Sequence, residues 1–281
     1  MAQRIVRAKK KIREARIPFR VPGADELPER LPGVLQVVYS IFTEGYVASS
    51  GPDLQRLDLA EEAIRLARIL RRLMPGEREV AGLLALMLLV HARRNARTGP
   101  DGALVLLDDQ DRQLWDRPMI DEGTALVVTA LSGGPPGRYG VQAAIAALHD
   151  EAPDVAGTDW PQIVALYEVL GAIAPSPVVE LNKAIAVAMR DGPVAGLALL
   201  DALADTPQLR GHHPYQTARG ELMERLGRQT EAIAAYRAAL AGAGTDPERN
   251  RLRHRITTLT AEQVSDGEPE GHGNRTPGES A

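Results

Sequence analysis

Apolar residues recur at three- and four-residue intervals along most of this chain, the spacing of helix faces turned toward a core. Residues 2–16 follow it with Ile5, Ala8 and Ile12 on one face and charges over the rest; Pro18 and Val21-Pro22-Gly23 end the run. Residues 28–43 resume it through Leu31, Val34, Leu35, Val38, Ile41 and Phe42, then give way to a polar turn over residues 43–53. A helix is predicted over residues 57–73, broken by Pro75-Gly76. Residues 78–95 are apolar nearly all round, the mark of a central helix. A loop over residues 98–107, with a short extended piece at 104–107, and a polar stretch over 108–115 follow. Helices are then predicted over residues 117–132 and 138–151, split by Gly133-Gly134-Pro135-Pro136-Gly137.

From Trp160 onward the punctuation becomes regular. Helices are predicted near residues 160–173, 177–190, 194–204, 214–226, 230–242 and 247–260. Gly192 and Gly227 stand in similar inter-helix turns. Trp160, Ile163 and Tyr167 match the large-residue spacing of a tetratricopeptide (TPR) first helix, and Gly227, Ala232, Tyr236 and Ala239 match the second half of such a repeat. The pattern predicts an all-α fold in four parts: a basic helix over residues 1–20, a helical middle domain over 24–156, a TPR-like helix-hairpin array over 157–261, and a disordered tail over 262–281, which is rich in Gly, Glu and Pro.

Composition narrows this further. With 281 residues the chain can bury a substantial core. Aromatics are only 4%, which favours helices packed through small residues over a β-sandwich. No cysteine is present, which excludes disulfides, thiolate metal sites and Cys nucleophiles and fits a cytoplasmic protein. The basic start is followed by no apolar signal-peptide core. The apolar run over residues 81–90 is too short to span a bilayer, so no membrane partner is expected. Residues 1–20 hold eight Lys/Arg against one Glu; with −4 on the whole chain, the body carries −11. A positive arm on an acidic body suits phosphate contact by the arm alone. Arg4, Arg7 and Lys11 would line one strip of that helix, and Gln3 could reach a base edge; the alternative is a solvated terminal helix.

The polar run Asp108-Asp109-Gln110-Asp111-Arg112 invites a metal or acid–base reading. No His or Glu lies at ligand spacing nearby, and the EF-hand glycine and closing glutamate are missing, so no metal or cofactor is expected. The structural reading puts an Asp at a helix N-cap, Arg112 against a carboxylate and Trp115 beneath it. The ligand reading gathers Glu44, Tyr46, His91, Asp109, Arg112 and Trp115 into one pocket. His91, on the apolar helix just before Arg93, Arg94 and Arg97, reads better as a core or rim residue than as a base; no nucleophile partner is evident and no enzyme is expected. His149 ends a helix, where a cation suits the dipole. His212-His213 is expected to be exposed.

The basic helix, the turn Glu44-Gly45-Tyr46 with Ala48-Ser49-Ser50-Gly51-Pro52, and Asp109-Gln110-Asp111-Arg112-x2-Trp115-Asp116 together resemble extracytoplasmic-function RNA polymerase sigma factors that carry a long TPR-like C-terminal extension. Gln142-Ala143-Ala144-Ile145-Ala146-Ala147 and Pro175-Ser176-Pro177 also look like that extension. The resemblance implies partnership with core RNA polymerase and promoter DNA in an intact factor. It also implies a protein or peptide partner on the TPR-like face. Region 2 and most of region 4 have no counterpart here, so the chain is expected to be the C-terminal part of such a factor.

Overall fold

The computed structural model describes Glu14, Gly23, residues 26–100 and residues 102–267. Among these the chain is all-α, with eleven α-helices and no strand beyond two isolated bridges. Contacts divide the chain into two units, residues 1–37 and 38–281. The boundary falls within the first described helix, α1 (Leu27–Tyr46), whose buried stripe is Leu31, Leu35, Val38 and Phe42.

Within the second unit, α2 (Leu57–Leu73), α4 (Arg117–Leu131) and α5 (Arg138–Glu151) all pack on α3 (Arg78–Ala92). Helix α3 is central because it has no polar face: Val80, Leu83, Met87, Leu88 and Leu89 are all fully buried. It can be enclosed so closely because small residues stand at its crossings. A Cβ on Gly82 would lie 2.5 Å from the Gly140 nitrogen of α5. Glu79 of α3 extends its carboxylate to the start of α5 and accepts from the Tyr139 and Gly140 amides at 3.2 Å. An anion there satisfies donors the helix itself cannot use.

The remaining helices are α6 (Trp160–Ile173), α7 (Pro177–Asp191), α8 (Pro193–Ala202), α9 (His213–Arg225), α10 (Gln229–Gly242) and α11 (Asp246–Gly267). From α5 to α11 each packs on its neighbours in sequence, the order of a helix-hairpin array. The starts follow from local chemistry. Asp116, Asp159 and Ser176 cap α4, α6 and α7 by accepting from Met119, Gln162 and Val179 amides, each with proline at the first or second helical position. Gly192 and Gly227, at φ +96° and +70°, make the reversals between α7 and α8 and between α9 and α10. Gly220 lets α9 meet the ring of Tyr236 on α10, where a Cβ would come to 2.7 Å.

Several details depart from the sequence expectations. Helix α11 runs to Gly267, past the end expected near residue 260 and into the start of the tail expected to be disordered from residue 262. The extended piece near residue 104 is a single bridge between Leu104 and Thr98. The turn after α1 is also fastened to the start of α11: Asp246 N donates to Gly51 O at 3.0 Å and Gly51 N to Gly244 O at 3.4 Å. A capping box forms there, in which Thr245 N and Oγ1 donate to Glu248 Oε2 at 3.0 and 2.8 Å. The basic helix and its residues Gln3, Arg4, Arg7 and Lys11 lie outside the described residues, as does the tail from residue 268.

Candidate ligand-binding site

Two adjoining cavities within the second unit share a wall. The larger, about 1000 Å³, is walled by the end of α1, by α3, α5, α6 and α7, and by the segment from Leu104 to Gln110. The smaller, about 630 Å³, is a groove between that segment and α6, α7, α9, α10 and α11. Leu106, Leu107, His149, Tyr167 and Asn182 belong to both walls.

Among the described residues the larger cavity presents three arginines, Arg93, Arg97 and Arg138, and no aspartate or glutamate. Arg93 stands 3.6 Å by Nε from Asp150 and lies over Trp115 at 5.8 Å. Arg97 lies 3.5 Å from the Tyr46 ring centroid and donates to the Tyr46 carbonyl. Arg138 lies over Tyr139 at 4.5 Å and donates to its hydroxyl at 2.7 Å. Arg93 and Arg97 are buried. Burial, with Arg93 nearby, pulls Arg97 below the ordinary guanidinium value. Tyr39, Tyr46 and Tyr167 add aromatic surface; burial pushes the Tyr167 hydroxyl up to about 12. Gln110 also lines the cavity, and its buried Oε1 has no hydrogen-bond partner.

Asp150 and His149 stand side by side at the end of α5, against the same arginines. Burial raises the Asp150 carboxyl to about 6, against the pull of Arg93 and Arg112. Burial lowers His149 to about 4, and Arg93 and Arg112 push the same way. His149 is therefore neutral at pH 7, not the helix-end cation its position suggests; its ring meets the edge of Trp160 at 5.4 Å.

The six residues grouped by sequence do not converge. Tyr46 lines the larger cavity and Asp109 the groove; Glu44, His91, Arg112 and Trp115 line neither. Glu44 Oε1 accepts from Ser49 N and Oγ at 3.3 Å and shapes the turn after α1. His91 is 3% exposed, lies edge-on to Phe42 at 6.5 Å, and is lowered to about 4 by burial and by Arg94. Arg112 does not pair with a carboxylate as expected. Its Nη1 donates to the His149 and Ala152 carbonyls at 2.8 and 2.9 Å, because α5 ends there with acceptors unsatisfied. Trp115 does pack beneath Arg112, at 4.4 Å, and is buried between Arg112 and Arg93. The expected Asp N-cap is Asp111, whose Oδ1 accepts from Gln113 N at 2.9 Å ahead of the short 3-10 turn Arg112–Leu114; Asp116, outside that run, caps α4 and takes Arg94 at 3.0 Å. His212 and His213 are half-buried, not exposed; His213 Nε2 lies 3.4 Å from Glu248.

Sequence reasoning missed Arg138, Gln142 and Tyr167 as wall residues, although Arg93 and Arg97 stood visibly in a run with Arg94. The groove differs in charge. Its Arg251 meets Glu221 at 2.8 Å, and Arg255 is paired with Glu224. Asp108, also in the groove, is raised by burial and by Asp109. Among the described residues no three His, Asp or Glu group as a metal would need, and no helix is long and apolar enough to cross a membrane.

Residues 30–131 match the model of a family of unknown function, DUF6596. Over 270 residues, 96% of its length, the chain is 46% identical to an uncharacterized protein of Rhizobium meliloti (strain 1021). The chain spans 63% of the length of that curated relative. No solved structure matches it.

Proposed function

We propose that this chain is the C-terminal part of a bacterial alternative sigma factor. In this reading its helical body is an interaction and sensing module that regulates promoter-specific initiation by RNA polymerase in the cytoplasm. The observation that carries the reading is where the resemblance residues sit. A Cβ on Gly45 would lie 2.4 Å from the Ala60 nitrogen, Gly51 bonds the Gly244–Asp246 segment, and Asp116 caps α4 while holding Arg94. The likeness thus reaches the contacts that fasten the body, not one surface motif. Helical arrays bind partners along their concave faces, and the groove between α7, α9 and α11 offers such a face.

The test is transcription in vitro. The chain is joined to promoter-binding regions 2 and 4 and mixed with core polymerase, with and without residues 24–281. Changed promoter output on removal is expected; unchanged output across conditions rejects the regulatory role.

A second reading, a free-standing TPR-type interaction protein without a DNA role, is favoured by the groove's paired charges, which fit a peptide of mixed charge. It predicts that the extended chain fails to bind core polymerase.

A further inference from the structure

The larger cavity carries a charge that its own wall does not answer. Among the described residues the only carboxylate within 4.0 Å of its three arginines is Asp150, beside Arg93. Arg97 and Arg138 are fixed by a carbonyl, a hydroxyl and tyrosine rings. Those partners orient the guanidinium groups without adding charge; the carboxylate that acts on Arg97, Glu248, lies beyond ion-pair contact. Arginine cannot escape by losing its proton at physiological pH. Arg97 is buried and Arg138 half-buried, and neither has a carboxylate in contact; such a cation is costly, so the site favours whatever brings a negative charge. The planar fork of a guanidinium matches carboxylate and phosphate alike.

The rest of the wall restricts what carries that charge. Tyr39, Tyr46, Tyr167, Leu86, Ile145 and Leu170 form aromatic and aliphatic surface, and about 1000 Å³ is room for a small molecule. The unpartnered Gln110 Oε1 adds an acceptor awaiting a donor.

We propose that this cavity binds a small organic anion: a carboxylate or phosphate group on an apolar or aromatic body. As a statement about regulation this rests on the sensing role proposed above; as a statement about binding it stands on the cavity alone.

Calorimetric titration of the full chain tests it with four probes of similar size: benzoate, phenyl phosphate, benzyl alcohol and benzylamine. The expected result is one saturable site per chain for at least one anion, with the neutral and cationic probes weaker by about 10-fold or more. Gln142→Glu places a carboxylate on the same helix one turn from Arg138, at nearly constant volume. It should weaken the anion by about 10-fold or more; because it also loses the Gln142 Nε2 donation to the Arg138 carbonyl at 3.1 Å, the melting temperature is measured alongside. Arg138→Gln removes the charge instead and should give a loss in the same direction, which guards against a refolding artefact in the first variant. The proposal is overturned by no saturable binding of either anion. Equal binding of benzyl alcohol, or anion binding indifferent to both variants, overturns it too. The titration contains no polymerase, so its failure leaves the transcription reading standing, and failure of the transcription assay leaves the cavity's ligand untouched.

Discussion

The two cavities share a wall yet answer charge in opposite ways. In the groove, Arg251 and Arg255 are paired with Glu221 and Glu224 on the facing helix. In the larger cavity, Arg97 and Arg138 rest on tyrosines, and the carboxylate beside Arg93 is raised to about 6. The groove is internally neutralised and suits a partner that exchanges ion pairs. The cavity is short of negative charge and suits one that supplies it. Arginine content does not separate the two sites; the origin of the neighbouring carboxylates does.

The strongest way to break the cavity side is Trp115→Ala. The ring is 3% exposed and supports Arg93 on the cavity wall and Arg112 at the end of α5. Its loss should cost about 3–5 kcal/mol, read as a lower urea midpoint. A loss under about 1 kcal/mol would mean that neither arginine depends on it. Trp115→Phe keeps a face for both cations and removes the unpartnered buried Nε1, so it should cost far less.

Nearly as large are two opposed pH effects from neighbouring residues. His149 falls from 6.5 to about 4 on folding, so the unfolded chain takes a proton first, and stability is lost as pH drops from about 6.5 toward 4. Asp150 rises from 3.8 to about 6, so the folded chain holds its proton longer, and stability is lost as pH rises from about 4 through 6. Each is worth about 3 kcal/mol over its window, and they nearly cancel between pH 4 and 6. His149→Gln should uncover a profile in which stability falls as pH rises, and Asp150→Asn one in which it climbs. Parallel profiles for the two variants would show that burial does not act on them as described.

On the groove side the comparable strain is steric. Gly220→Ala sets a Cβ 2.7 Å from the fully buried ring of Tyr236, whose hydroxyl donates to Glu224 at 2.8 Å. Overpacking of this kind should cost about 1–3 kcal/mol, measurable by thermal melting, and should leave anion binding in the other cavity unaltered.

What was legible in the sequence divides along the same line. Helix starts were readable because their causes are local: Ser176 before Pro177, and Asp159 one residue before the Trp160-Pro161 pair, carry cap and first turn within a few residues. The box Thr245-Asp246-Pro247-Glu248 is just as local, but its role as an anchor for Gly51 depends on folding. The run Arg93, Arg94, Arg97 can be seen in the chain. Which of the three lacks a carboxylate in contact cannot, because Asp116 reaches Arg94 from the start of α4 and Asp150 reaches Arg93 from the end of α5. Polar residues close in sequence, such as Asp109 and Arg112, looked like a site for their chemistry and proved to face different neighbours.

The smallest expected effect is the most discriminating. Arg251→Gln removes a groove arginine whose partner, Glu221, is partly exposed. Because water re-solvates that carboxylate, the loss of stability should be about 1 kcal/mol or less. An anion drawn only by net positive charge anywhere on the unit would bind less well after this change, as it would after Arg138→Gln. An anion held by guanidinium groups without carboxylates would notice only the second. Equal losses of benzoate or phenyl phosphate affinity in both variants would erase the distinction between the two cavities. A loss confined to Arg138→Gln would locate the ligand where the charge is unanswered.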